Sequence, residues 1–300
     1  MIQHKLKKSD LIHENIHFQF IDGNRVIIFG RDAFFIHDLN QSEDVITVKC
    51  SIPVKYVKLG NRAFIYKYAH KVLLCYDPDS FKKLESIKGL KSHITDIAKY
   101  DNQTLAIASG KDVYFLNINT DELTKIYSNP YYENSYEIQN ICFSDDRKFM
   151  IVYRTDVGTE YDTVVWNFED NEEFLKTNWR PFDYSGDIVF IKDNGLVKNT
   201  FATASIQPEM KNCFDTLSLE NGEELRWTPS GYLIQGLSDK GNYAISKKEN
   251  EVELRDPKND QILFNSGSIA EKVHSVRLSE NEQLVGAVTD KHFLYWNLEK

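Results

Sequence analysis

Val113-Tyr114-Phe115-Leu116-Asn117 is a short apolar and aromatic run closed by an amide side chain, and the same phrase returns six more times. The other instances are Phe34-Phe35-Ile36-His37-Asp38, Leu73-Leu74-Cys75-Tyr76-Asp77, Val164-Val165-Trp166-Asn167, Phe214-Asp215-Thr216-Leu217-Ser218, Val252-Glu253-Leu254-Arg255-Asp256 and Phe293-Leu294-Tyr295-Trp296-Asn297. Measured on the closing residue, the steps are 39, 40, 50, 51, 38 and 41. Self-similarity at a period of about 40, with strand-type residues in every unit, predicts a repeat architecture of the β-propeller kind.

The unit around Val113 shows the plan. Ile94–Tyr100 alternates and meets the turn Asp101-Asn102; Thr104–Ala108 follows, then the turn Ser109-Gly110-Lys111-Asp112, then Val113–Leu116 and Glu122–Ile126. The preceding unit reads the same way as Val54–Leu59, Ala63–Tyr68, Val72–Tyr76 and Lys83–Ile87, with Asp77-Pro78-Asp79-Ser80 as turn. Period-two alternation gives strands, and no window carries a helical period. The expected fold is all-β: a seven-bladed propeller of four-stranded antiparallel blades, at approximately 17–50, 54–90, 94–128, 138–178, 185–228, 232–267 and 273–300. The last unit lacks residues for a fourth strand, and an open edge would leave backbone groups unpaired. Residues 1–12 are therefore expected to supply that outer strand and close the ring, as one domain over 1–300.

Composition bounds the class. Apolar residues make up 41% and aromatic residues 13% of the 300, which argues against disorder. A net charge of −9 argues against a nucleic-acid partner. No apolar stretch is long enough to span a membrane, and residues 1–8 lack the apolar core of a signal peptide. Cys50, Cys75, Cys142 and Cys213 form no CxxC pair, so a reducing compartment, cytosol or nucleus, is expected.

By period and third-strand phrase the chain resembles WD-repeat propellers; Trp166-Asn167 and Trp296-Asn297 come nearest to that family's Trp-Asp ending. The resemblance implies that loops between units and between second and third strands gather on one face. It also implies that the third-strand tryptophans are inter-blade core. Two specialisations are disfavoured. Where ubiquitin-ligase receptors of the family carry Arg, this chain has Glu169 and Glu299, and the Arg-Arg of phosphoinositide-binding propellers is absent.

Local chemical motifs are weak. His13-Glu14-Asn15-Ile16-His17 fits the zinc-peptidase spacing, which needs a helix, but the residues after it alternate as a strand. A metallopeptidase on His13, Glu14 and His17 is thus a remote alternative. Ser109-Gly110-Lys111-Asp112 reads as a hairpin turn, and Glu169-Asp170-Asn171-Glu172-Glu173 as a solvated turn without calcium-loop order. Neither catalytic residues, a metal nor a cofactor is expected. The longest, most aromatic connections carry Tyr131, Tyr132, Tyr136, Arg154, Tyr161, Trp179, Arg180, Phe182 and Tyr184. Such residue types dominate interface hot spots. The expected function is a non-catalytic scaffold binding a protein or peptide on the loop face of blades three to five. The alternative is a structural subunit of a larger complex that contacts through its blade rims.

Overall fold

The computed structural model describes residues 2–5, 17–40, 44–130, 137–144, 146–155, 161–177, 188–193, 196–206, 212–218, 224–227, 233–238, 242–248, 250–256 and 261–298. Among them there are strands and turns and no helix. A short β1 (Ile2–Lys5) precedes the first sheet, β2 (His17–Phe20), β3 (Arg25–Phe29), β4 (Ala33–Asp38) and β5 (Asp44–Lys49). A three-stranded sheet follows, β6 (Pro53–Leu59), β7 (Arg62–Lys67) and β8 (Leu74–Tyr76). The third holds β9 (Ile94–Lys99), β10 (Thr104–Ser109), β11 (Asp112–Asn117) and β12 (Leu123–Ser128). The fourth holds β13 (Glu137–Phe143), β14 (Phe149–Thr155), β15 (Tyr161–Asn167) and β16 (Glu172–Thr177). Then come β17 (Ile188–Asp193), β18 (Leu196–Ile206), β19 (Asn212–Ser218) and β20 (Glu224–Trp227). The sixth has β21 (Leu233–Leu237), β22 (Ala244–Lys248), β23 (Glu251–Arg255) and β24 (Ile262–Asn265). The last has β25 (Val273–Leu278), β26 (Leu284–Thr289), β27 (His292–Asn297) and, on its outer edge, β1.

β1 pairs antiparallel with β27, Ile2 facing Tyr295 and Lys5 facing His292. The expected N-terminal edge strand is therefore present, over Ile2–Lys5; residues 6–16 lie outside the described residues.

The sheets group into two compact units. One contains β6–β8, β9–β12 and β13–β16; the other contains β1–β5 and β17–β27. Within the first, alternation along β10 sorts side chains to two buried faces. Leu105 and Ile107 join Leu59, Phe64, Tyr66 and Ile97, whereas Ala106 and Ala108 join Ile141, Met150 and Val152. β26 repeats the device in the second unit: Val285 and Ala287 pack with Val276, Leu294 and Trp296, while Val288 packs with Phe18 and Phe293. A strand covered on both faces carries apolar residues at successive positions, and this is why the phrase looks so hydrophobic. Trp296 sits in that core, and Trp166 packs edge-on to Tyr127 at 5.0 Å, both as the resemblance implies.

The closing residue of the phrase has a local cause. Asp38, Asn117 and Asn167 each accept, through a side-chain oxygen, the amide two residues on, at 2.9, 2.9 and 2.8 Å. Asp77 accepts the Ser80 amide at 2.7 Å. A short polar side chain that bonds its own backbone stops the strand and starts the turn. Four residues after the last three, Phe81, Asp121 and Asn171 take positive φ of 53°, 57° and 54°.

One expectation fails in the second sheet. Lys83–Ile87 is not a strand: only the single bridges Tyr76–Lys83 and Leu73–Ile87 form. Phe81 is left-handed like Asp121 and Asn171 at the matching turns, which full fourth strands follow; here Phe81 is buried against Tyr56 and no ladder follows. The matching openings after β13 and β25 share a serine device. Ser144 accepts the Phe149 amide at 3.0 Å and donates to Asp146 at 2.6 Å. Ser279 accepts the Leu284 amide at 2.9 Å and donates to Asn281 at 2.6 Å.

Candidate functional site

The first strand of several sheets is bulged near its start. Register shifts fall between Pro53 and Lys55, opposite Ala108/Ser109 on β9, between Ile138 and Asn140, between Ile234 and Gly236, and between Val273 and Ser275. A bulge leaves backbone groups outside the ladder, and side chains of an adjacent sheet collect them. Tyr66 Oη donates to the Thr95 carbonyl at 2.7 Å. Asp96 accepts the Ile141 amide at 3.0 Å, its neighbour Ile97's amide at 2.8 Å and the Lys55 ammonium at 2.7 Å. Full burial pushes the Asp96 carboxyl upward, against Lys55 and the two amides, which pull it down. Lys247 on β22 donates to the carbonyls of Val273 at 3.0 Å and His274 at 2.7 Å.

The last of these latches adjoins a set of acid–base groups on β25, β26 and β27. His274, the bulged residue of β25, places Nε2 2.7 Å from Asp290 Oδ1. Beside it in sequence, Glu271 holds His292 Nδ1 at 2.9 Å, the Lys291 amide at 3.2 Å and the Thr289 hydroxyl. Burial pulls the Glu271 carboxyl upward, and the bonds from Thr289, His292 and Lys291 outweigh it, holding it below the ordinary carboxylate range. Burial, and then the charge of Lys272, push the Lys247 amine down to about 8. His274 and His292 each keep one ring nitrogen without a protein partner among the described residues. An imidazole fixed by a carboxylate on one nitrogen and open on the other is the arrangement of a general base. Side-chain exposures of 21% for His274 and 27% for His292 leave both accessible to small molecules.

The residues singled out from sequence are distributed otherwise. Tyr131, Tyr132, Tyr136, Trp179, Arg180, Phe182 and Tyr184 lie outside the described residues, as do His13 and Glu14. Tyr161 opens β15, its backbone paired with Thr155. Arg154 is no surface anchor: at 1% exposure it is enclosed by β14 and β15. Its fork is bidentate on Asp162 at 2.6 and 2.8 Å, and Nη1 donates to Tyr127 and Asn129 at 3.1 and 3.0 Å. A guanidinium so satisfied braces a hairpin. His17 lies in β2, stacked on Phe29 at 4.6 Å, a strand setting that cannot present the helical HExxH arrangement.

No family model matches the sequence, and no curated protein matches it. Among solved structures, hydrazine synthase of Kuenenia stuttgartiensis aligns with a TM-score of 0.69 at 12% identity, over 93% of this chain and 94% of that one. The dihydro-heme d1 dehydrogenase NirN in complex with DHE aligns with a TM-score of 0.65 at 14% identity, over 94% of this chain and 64% of that one. At such identities the likeness carries the fold, and the fold is a β-propeller. The expectation of a non-catalytic scaffold, enzyme excluded, is overturned: the solved propellers named here are a synthase and a dehydrogenase. The physical reason for the error is locality. The expectation rested on missing local motifs, whereas the acid–base groups here come from three separated stretches, Lys247, Glu271–His274 and Thr289–His292, joined by the pairing of β25 with β26 and by side-chain contact from the neighbouring sheet.

Proposed function

We propose that the chain is a single seven-bladed propeller over 1–300 that carries out general acid–base chemistry on a small polar substrate at the start of β25. The ring reading is supported by the seven sheets and by the pairing of β1 with β27, which joins both ends of the sequence in one blade. Kinship with WD-repeat propellers rests on the period and the third-strand phrase. From the two solved neighbours the proposal takes the enzymatic use of a propeller and no particular substrate. Among the described residues no three His, Cys, Asp or Glu side chains form a metal-ligand group, and the chemistry is written on side chains of this chain.

The observation that carries the reading is the His274–Asp290 pair at 2.7 Å beside the Lys247 amine. Asp290 orients the imidazole and stabilises its charged form when it takes a proton. Lys247, held on the carbonyl of His274 itself, is an amine pushed down to about 8 by burial and Lys272. His292, oriented by Glu271 on Nδ1, offers its other ring nitrogen to the substrate.

Purified protein incubated with a small-molecule cell extract, followed by mass spectrometry, tests this. Wild type should consume at least one metabolite, and His274→Gln should slow that consumption by about 100-fold or more, the ordinary contribution of a positioned base. Consumption of nothing by wild type, or equal rates for the variant, would refute it.

A further inference from the structure

We propose that Lys247 is a nucleophilic amine that condenses with the carbonyl carbon of a small aldehyde or ketone. The inference rests on the acid–base reading of this end of the β25–β27 sheet and names its substrate class.

The hydrogen-bond count around Lys247 carries it. An ammonium has three N–H donors and no acceptor, whereas the neutral amine has two donors and one lone pair. The surroundings of Nζ offer two acceptors, the Val273 carbonyl at 3.0 Å and the His274 carbonyl at 2.7 Å. No carboxylate lies within ion-pair distance of it among the described residues, although lysines of this chain such as Lys55 and Lys176 have one. Asp290 and Glu271 are engaged by His274 and by His292 and Thr289. Lys272 adds a like charge. Burial and Lys272 therefore favour the neutral form, and no carboxylate among the described residues opposes them. Two N–H groups are held by the bulge carbonyls, and the lone pair is the group left over. The lowered pKa of about 8 agrees with this geometry. A desolvated lysine beside a second cation is the usual way of activating an amine nucleophile.

The step balances without an oxidant. The nitrogen lone pair forms a C–N bond to the carbonyl carbon while the C=O π pair moves to oxygen. Both amine protons end on that oxygen, which leaves as water, and a C=N bond remains. When the imine is protonated, its single N–H still has a bulge carbonyl as acceptor. We assign the movement of those protons to the His274 imidazole, on the residue whose carbonyl holds Nζ.

Trapping on the full-length wild-type chain tests the proposal without any variant that must fold. Glyoxylate with cyanoborohydride reduces an imine to a stable N-carboxymethyl lysine, read by peptide mass spectrometry. At neutral pH, Lys247 should be modified about tenfold or more faster than its exposed chain neighbour Lys248. Modification of Lys247 no faster than Lys248 would overturn the proposal. Failure here with His274-dependent metabolite consumption intact would leave the acid–base reading standing. Trapping at Lys247 without such consumption would overturn that reading alone.

Discussion

Gly286 sits at the middle of β26, and a Cβ added there would lie 2.8 Å from Phe18 Cε2 and 2.9 Å from both Phe18 Cζ and Phe20 Cζ. Phe18 cannot swing aside, because it is fully buried and packs edge-on against Phe293 at 5.0 Å and Phe20 at 5.7 Å. Gly286→Ala gains about 0.8 kcal/mol from a buried methyl and roughly 0.5–1 kcal/mol from the lost glycine entropy. Against these stand about 1–3 kcal/mol of overpacking and up to about 1.5 kcal/mol from the spoiled edge-to-face geometry. The variant should be destabilised by about 1–2 kcal/mol, measured in urea as a lower midpoint at unchanged slope. Phe18→Leu frees the space, so the double variant should lose less than the sum of the singles, by about 1 kcal/mol. Gly23→Ala, where nothing lies within 4 Å, is the control and should stay within about 0.5 kcal/mol. A Gly286→Ala midpoint equal to or above wild type, or strict additivity in the double, would refute the packing argument.

Other expectations can be checked in the same way. Asp96→Ala strips Lys55 of its partner and leaves the Ile97 and Ile141 amides unmet, and should cost about 3–5 kcal/mol in denaturant melts; a loss below about 1 kcal/mol would contradict it. Ser144→Ala orphans the Phe149 amide of a turn and should cost about 1–2 kcal/mol, with Ser279→Ala alike at the corresponding turn. Glu271 is held below the ordinary carboxylate range in the folded state, so its contribution is complete above the unfolded value and lost as pH falls through the folded one. Thermal melts between about pH 5 and pH 3 should therefore show wild type losing more stability than Glu271→Gln, and parallel curves would argue against it. Removing residues 1–5 exposes the edge of β27, and should lower the unfolding free energy by about 2 kcal/mol or more at roughly 0.5–1.5 kcal/mol per backbone bond lost, with an unchanged transition as the contrary result.

Much of the scaffold could be read from the chain because the phrase is local. Alternation places Leu105 and Ile107 on one face and Ala106 and Ala108 on the other, and each of Asp38, Asp77, Asn117 and Asn167, closing the phrase, is a turn residue by its own chemistry. The missing fourth strand of the second sheet escaped because Lys83–Ile87 has strand composition, yet only the bridges Tyr76–Lys83 and Leu73–Ile87 form. Arg154 reads as part of a connection from sequence, one of the Tyr, Trp and Arg residues of the long loops. Its burial depends on Asp162, eight residues on and directly opposite across the hairpin. The candidate site was harder still. His274 is one of several scattered histidines in the sequence, and only the bulge of β25 and the loop after β26 bring it to Asp290 and onto Lys247.

The pairing of β1 with β27 also sets a clock on biosynthesis. Ile2 leaves the ribosome long before its partner Tyr295 exists. At about 5–20 residues per second the interval is roughly 15–60 seconds, far longer than hairpin formation, at about 1–10 microseconds, takes in the sheets between. Intermediate sheets can therefore complete while the nascent chain still carries an unpaired β1, and the last sheet gains its outer edge only after β27 emerges. During that interval β1 is a strand-forming segment without its partner, and a chaperone that shields it would act on this stretch until β27 emerges.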